Sequence, residues 1–466
     1  MKEKGTPIEE DERIPKFSAA DLKESRVLEH GLLDVLRQNA EQLGLRDVLK
    51  AACGKFADEI FMLASHLVAS GEPYIYTQEW LKNSDVTEPV GELSSSQITR
   101  ILANISQTER DGFYREWAKL RADREYLALD ITSSSSYSEL IDDVEWGHNR
   151  DGEDLPQVSI CLLMGETSRL PVYQTVYAGS LNDVSTLKTT LAKFDAITDN
   201  QPILTVMDKG FYSKRNVESL LSDGKRFIIS MPFSAAAAKK LVVENSATID
   251  DFDNSLAFGL TTLRAVTRQI KINKYDVSAH IYFNPIKAAA DKEKLILKVS
   301  EMRTNAEINP EKYIDDKDFS KYLNIEKSEG GYTVSVKKDA IADAVKHAGW
   351  LVIISNHIHC ADEALRIYRG KDVVEKGFLK LKNSIDIGRL RVHSDNAMHN
   401  KVFIGFVALV LMSHIHAVMC DKALYKKYTM KQLLRTLAKR KVILSAQDEL
   451  YTPLQKNSAA FTRRFR

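Results

Sequence analysis

The chain has 466 residues, 28% of them charged, with 65 Lys and Arg against 64 Asp and Glu for a net charge of +1. The length allows roughly two to four domains with their own cores, and the balanced charge excludes nucleic-acid affinity resting on overall basicity. Four cysteines at positions 53, 161, 360 and 420 show no paired spacing, which argues against a disulfide framework.

Residues 1–30 are polar and charged and read as a disordered or leader segment. With no apolar stretch behind its basic residues, MKEKGTPIEEDERIPKFS is not a secretory signal. Over 31–123 the runs LLDVLRQNAEQLGL, FADEIFMLASHLVA and SSSQITRILANI place apolar residues at three- and four-residue steps, predicting a helical N-terminal region. Ser94 with Gln97 reads as a capping box at the start of the last of these. Helices flanking a loop with Pro89 and Gly91 admit a helix-turn-helix DNA reader, although plain helix packing accounts for the same pattern.

From 124 to 233 strands predominate: YLALDIT, QVSICLLMG, PVYQTVYAG, a helix near Val184–Phe194, ILTVMD, a helix near Lys214–Leu221, and RFIISMPF. Asp130 lies in or at the end of the first strand, because SSSSYSE is expected to stop it. Asp208 closes ILTVMD, and Gly210 permits a sharp exit. A carboxylate closing an apolar strand is a recurring site geometry in α/β proteins, and it is equally a common helix N-cap.

The 167 residues from Asp208 to Glu375 are too many for a loop in a compact domain. TLRAVTRQIKI, VSAHIYFN and GYTVSVKK alternate like strands and predict a β-rich insertion over 234–348, after which GWLVIISN leads back into the core over 349–420. There IYRGKDVVEKGFLKLKN carries Tyr368, Lys371, Glu375 and Lys382, which on one helix share a sector of roughly 60°. Its flanks are apolar, so a carboxylate between two amines is costly there unless it binds something; intramolecular ion pairing is the plainer account of the stretch alone. Val402 to Met412 is the most apolar run, well short of the ~20 residues of a membrane span, and reads as a buried helix. The region 421–466 holds twelve Lys and Arg against three acids, a basic tail suited to phosphates or simply to solubility. His357, His359 and Cys360 hint at a metal but lack a second pair at zinc spacing. Neither a Walker loop nor GxGxxG is present, so ATP and dinucleotides are not expected.

ALDITS around Asp130, VMDKGFYSKRN around Asp208 and the Tyr368–Lys382 stretch resemble the three motifs of DDE insertion-sequence transposases. The subgroup resembled is the one whose last motif is written Tyr-x2-Arg-x3-Glu-x6-Lys; here position 371 is lysine instead of arginine. PVYQTVYAGSLNDVSTL resembles the family's strand, Gly-x-x-x-Asp turn and helix, ending on Asp183. The resemblance runs from about Leu33 to about Lys441. It implies an α/β fold: an RNase H-like mixed sheet flanked by helices, interrupted by the β-rich insertion and preceded by the helical region. Asp130, Asp208 and Glu375 are then the catalytic carboxylates, converging on two Mg2+ or Mn2+ ions, and Tyr368, Lys371 and Lys382 hold the phosphodiester beside the cut. Oxygen-only donors suit such hard cations.

The activity implied is DNA strand cleavage followed by strand transfer of an insertion sequence. The implied partner is double-stranded DNA, both transposon ends and target, engaged by a homodimer in a bacterial cytoplasm, at the nucleoid, with no membrane and no nucleotide cofactor. The alternative is a catalytically inactive or domesticated DNA-binding derivative. Possession of all three acids favours activity.

Overall fold

A computed structural model describes residues 25–121, 125–198, 203–328, 331–444 and 449–452. The chain divides into two compact units, one formed by the chain up to Gln201 together with Asp372 onward, the other by Pro202–Lys371.

The first unit begins with strand β1 (Arg26–Glu29) and helices α1 (Gly31–Gln42), α2 (Leu45–Cys53), α3 (Ala57–Ser70), α4 (Thr77–Lys82), α5 (Ser95–Asn104) and α6 (Gln107–Arg121). Their apolar stripes meet in a common core; α3 buries Ile60, Phe61, Leu63, Ala64 and Leu67. Ser94 is the N-cap of α5, but the expected capping box does not form, because its hydroxyl lies 3.2 Å from Ser96 Oγ and makes no cap bond.

Next come β2 (Leu127–Ser135), β3 (Gln157–Gly165) and β4 (Pro171–Ala178), paired antiparallel in that order, and helix α7 (Asp183–Ile197). Contrary to expectation, the serine run does not end β2: Ser133, Ser134 and Ser135 stay in register with Ser159, Val158 and Gln157. Each hydroxyl is satisfied from neighbouring chain. Ser133 Oγ accepts from the Arg150 N–H at 2.8 Å, Ser134 donates to the Ile387 carbonyl at 2.6 Å, and Ser135 donates to Glu153 at 2.6 Å. Serines disfavour strands when their hydroxyls compete for the local backbone, and that competition is removed here. Asp130 therefore sits mid-strand, with five residues of β2 after it. Beyond β4, a Cβ on Gly179 would stand 2.0 Å from the Gln157 carbonyl oxygen, so only glycine permits the turn there. Asn182 then caps α7 by accepting from the Ser185 N–H at 3.0 Å.

The second unit contains β5 (Leu204–Met207), α8 (Lys214–Ser222), β6 (Arg226–Ser230), α9 (Ala236–Asn245), β7 (Ser255–Phe258), β8 (Thr261–Ile272), β9 (Tyr275–Phe283), α10 (Pro285–Ile308), β10 (Leu323–Ser328), β11 (Gly331–Val336), α11 (Lys338–Val345), β12 (Trp350–Ser355) and α12 (Ala361–Gly370). Its sheet runs β5-β6-β12-β9-β8-β7, parallel between β5 and β6 and antiparallel elsewhere. The 234–348 segment is thus not one β-rich body. Its strands β7, β8 and β9 extend the sheet of β5, β6 and β12, because β9 is buried from Val277 to Tyr282 and needs neighbours on both edges. The remainder is mostly helix: α10, started by the Asn284 cap and Pro285, packs on the β10–β11 hairpin around Val299, Met302, Ala306, Tyr322 and Leu323.

The chain returns to the first unit with α13 (Asp372–Asn383), α14 (Asp395–Asp421), α15 (Met430–Ala438), β13 (Lys441–Leu444) and β14 (Glu449–Tyr451). β13 pairs with both β1 and β14, so Arg26–Glu29, expected within a leader, is structured. By length and composition α14 is apolar enough to cross a membrane, and 78% of its most apolar window is buried, packed on α3 and α5. The run 402–412 lies wholly inside.

Lys401 is buried at the start of that run, donating to the Arg389 carbonyl at 3.2 Å. Burial pulls its pKa down to about 8, opposed by the Asp386 carboxylate and assisted by Arg391. The folded pKa lies below the unfolded one, so between about pH 8 and 10.5 the unfolded chain binds more protons and stability rises with pH. Below pH 8 the burial penalty, roughly 3 kcal/mol from the shift, is present in full. Lys401→Met is expected to raise the melting temperature at pH 7 by a few degrees, with the gap closing between pH 8 and 10.5 in thermal melts.

Candidate active site

In the first unit the strand register fixes where Asp130 points. Asp130 lies directly opposite Leu162 of β3, and directly opposed residues of an antiparallel pair project from the same face. Helix α13 covers that face. A Cβ on its Gly377 would stand 3.4 Å from Leu162 Cδ2 and 2.3 Å from Met164 Sδ, so a glycine lets the helix sit close on the strand. Glu375 lies two residues before that contact, exposed and in the first turn of α13, where the helix dipole favours a carboxylate. Asp130 and Glu375 thus belong to one side of one sheet. Asp130 is half-buried, and its Oδ1 accepts from the Ile131 N–H at 2.8 Å.

Lys382, also on α13, is 14% exposed and lies 2.6 Å from Asp151 Oδ2. Asp151 belongs to the loop joining β2 to β3, which is tied down along its length. Arg389 holds Glu153 at 2.8 Å, Asn149 donates to Ser135 at 3.1 Å, and Arg150 pairs with Asp183. Two hydrogen bonds and the Arg389 charge hold the Glu153 carboxyl below its usual range, the Ser135 hydroxyl being the larger cause. Sequence reasoning passed over Asp151, Glu153 and Arg389, although HNRDGED stands out as a charge-dense run between two apolar strands.

The second unit holds Asp208, Tyr368 and Lys371. Asp208 directly follows β5 and caps a short 3-10 turn, its Oδ1 accepting from the Lys209 N–H at 2.6 Å. The same oxygen accepts from the Tyr368 hydroxyl at 3.1 Å, while Lys371 Nζ lies 3.8 Å from Oδ2. Tyr368 and Lys371 are each 8% exposed, and burial, followed by the Asp208 charge, pushes the tyrosine phenol up, so it stays a donor.

The expected single helix through Tyr368 and Lys382 is in fact two. α12 ends at Gly370, Lys371 closes it with its N–H on the Tyr368 carbonyl at 3.3 Å, and α13 begins afresh at Asp372. Asp372 and Glu375 in the first turn of α13 suit the positive end of a new helix. Tyr368 and Lys371 belong to the second unit, Glu375 and Lys382 to the first.

Asp130, Asp208 and Glu375 each offer carboxylate oxygens, donors that suit Mg2+ or Mn2+ and not a thiolate-seeking metal. At Asp208, two donors pin Oδ1, and Oδ2 faces Lys371 Nζ at 3.8 Å. Among the described residues, as placed, no three His, Cys, Asp or Glu side chains group closely enough to hold a metal. That includes His357, His359 and Cys360; His359 instead pairs with Ser278 Oγ at 2.9 Å.

Residues 121–411 match the family model described as a transposase DDE domain. Among solved structures the chain is similar to a cryo-EM structure of a piggyBac transposase synaptic complex with hairpin DNA. The identity is 8%, over 88% of this chain and 76% of that one, with a TM-score of 0.41. No curated protein sequence matches. Since the family model takes in well over half of the chain, this protein belongs to the transposase DDE domain family.

Proposed function

We propose that this chain is an active, metal-dependent transposase that cuts DNA at the ends of an insertion sequence and joins them to target DNA, working as a homodimer in a bacterial cytoplasm. The family match spanning all three acids is the observation that carries this reading. Asp130, Asp208 and Glu375 would hold Mg2+ or Mn2+, which supplies Lewis acidity for in-line displacement at phosphorus. The protein's own work is then placement. The β2–β3 register and the Gly377 contact present Asp130 and Glu375 on one face, and the Tyr368 hydroxyl fixes Asp208. Lys371 and Lys382 supply cations for the phosphodiester flanking the cut. Water attacks phosphorus first, breaking the P–O3′ bond to leave a 3′-hydroxyl at the element's end and a 5′-phosphate on the flank; that hydroxyl then attacks a target phosphodiester and displaces the target strand's 3′-oxygen.

The test is nicking of duplex DNA carrying the sequences that flank the gene, with Mn2+ present and with EDTA. Site-specific nicking only with Mn2+ is expected. Metal-independent binding without nicking would favour a non-catalytic derivative.

The basic C-terminal region can be tested separately. Helix α15 packs on α1 and β13 on β1, so a cut after Thr452 spares both. It removes Lys456, Arg463, Arg464 and Arg466, which lie outside the described residues. If all four touch phosphates, the slope of log affinity against log salt falls by about 3–4. Affinity for every duplex then drops alike. An unchanged slope would mean the tail does not contact DNA.

A further inference from the structure

Two features of Asp208 are not explained by a lysine that serves only to grip DNA. Its Oδ1 is held by two donors, the Lys209 N–H at 2.6 Å and the Tyr368 hydroxyl at 3.1 Å, which together fix the carboxylate's rotation. Its Oδ2 is left facing Lys371 Nζ at 3.8 Å, too long for a hydrogen bond but close enough for strong charge attraction. Lys371 and Tyr368 are both buried, so this arrangement is packed in place and is not a chance meeting of surface side chains.

A divalent cation approaching Oδ2 would meet the lysine ammonium at nearly the same position. The two positive charges cannot share that oxygen without repulsion, so one must yield. A DNA phosphate is the natural place for the ammonium to go, since it offers oxygens of like hardness and a full negative charge. Lysine suits such an exchange better than arginine does, being a compact point charge on a flexible stem.

Resting on the transposase reading above, we propose that Tyr368 and Lys371 are positioning residues for Asp208. Tyr368 aims Oδ2 at the cation, and Lys371 guards Oδ2 until a DNA phosphate draws it away. DNA and metal then bind cooperatively. By linkage each tightens the other by the same factor, and couplings of this kind are typically about 5–150-fold.

The experiment measures Mn2+ binding to the full chain by electron paramagnetic resonance of free Mn2+, with and without a duplex carrying the gene's flanking sequence. The duplex alone serves as the reference, and DNA affinity in EDTA and melting temperature are recorded alongside. The parent is expected to bind Mn2+ about tenfold tighter with DNA. Lys371→Ala and Lys371→Gln are expected to bind Mn2+ more tightly than the parent without DNA, and to show less than about twofold coupling. Lys371→Arg keeps the coupling. Tyr368→Phe retains the ring but not the hydroxyl, and is expected to weaken Mn2+ by roughly tenfold without DNA.

Folded Tyr368→Phe with parental Mn2+ affinity, or folded Lys371→Gln with parental coupling, would overturn the inference and leave the transposase reading standing. A folded parent that neither binds Mn2+ nor nicks DNA would overturn both.

Discussion

Replacing Glu375 by glutamine, or Asp130 or Asp208 by asparagine, is expected to lower Mn2+-dependent strand cleavage by at least about a thousandfold. Duplex affinity in EDTA should change by less than about twofold. Each substitution keeps the shape of the side chain but exchanges a charged oxygen for an amide NH2, which cannot ligate a hard cation and repels it as a donor. Transition-state stabilisation by a bound cation is worth several kcal/mol, and each 1.36 kcal/mol is tenfold in rate. The effect on folding should be small for Glu375, which is exposed at the start of α13. It should also be modest for Asp130, because an asparagine Oδ1 can still accept the Ile131 N–H. Single-turnover cleavage assays with melting temperatures recorded in parallel separate these effects. Cleavage by Glu375→Gln at the parental rate would remove that residue from the site.

Much of the frame was legible in the sequence because period-two alternation and turn residues are local signals. QVSICLLMG and PVYQTVYAG became β3 and β4 almost residue for residue, and Asp208 follows β5 directly. The misses came from interactions between segments distant in sequence. SSSSYSE looks like a strand terminator until Ile387, Glu153 and the Arg150 backbone supply partners for its hydroxyls. The break after Gly370 was not signalled, because the 60° stripe assumed one uninterrupted helix from Tyr368 to Lys382. The 234–348 segment misled for another reason. Alternation shows that a stretch is a strand without saying which sheet it joins, and here β7, β8 and β9 join the sheet of β5 and β6. For the proposed site, the three carboxylates were readable as residue types, whereas the contacts around them were not. Lys371 facing Asp208 and Lys382 facing Asp151 are contacts over 163 and 231 residues of chain, beyond any periodicity.

The Lys382–Asp151 pair leads to the second expected result. Lys382→Ala should weaken binding to the flanking duplex by roughly tenfold to a hundredfold, equivalent to about 1.5–3 kcal/mol for a charge-assisted contact. Asp151→Asn should strengthen it several-fold at low salt. In the absence of DNA the aspartate occupies the ammonium at 2.6 Å, in the role a phosphate oxygen would take, and DNA must displace it. The asparagine can still accept a hydrogen bond but carries no charge, so the competition weakens while the loop keeps its remaining ties through Glu153, Asn149 and Arg150. A part-buried pair also holds structure, so Lys382→Ala alone does not separate a lost DNA contact from a loosened loop. The double variant does. If Lys382 touches DNA, Asp151→Asn gains nothing once Lys382 is alanine, and the two substitutions are strongly non-additive in binding. If Lys382 serves only to hold the loop, Asp151→Asn and Lys382→Ala should weaken DNA binding together, and affinities of the four proteins measured in EDTA across a salt series would show it.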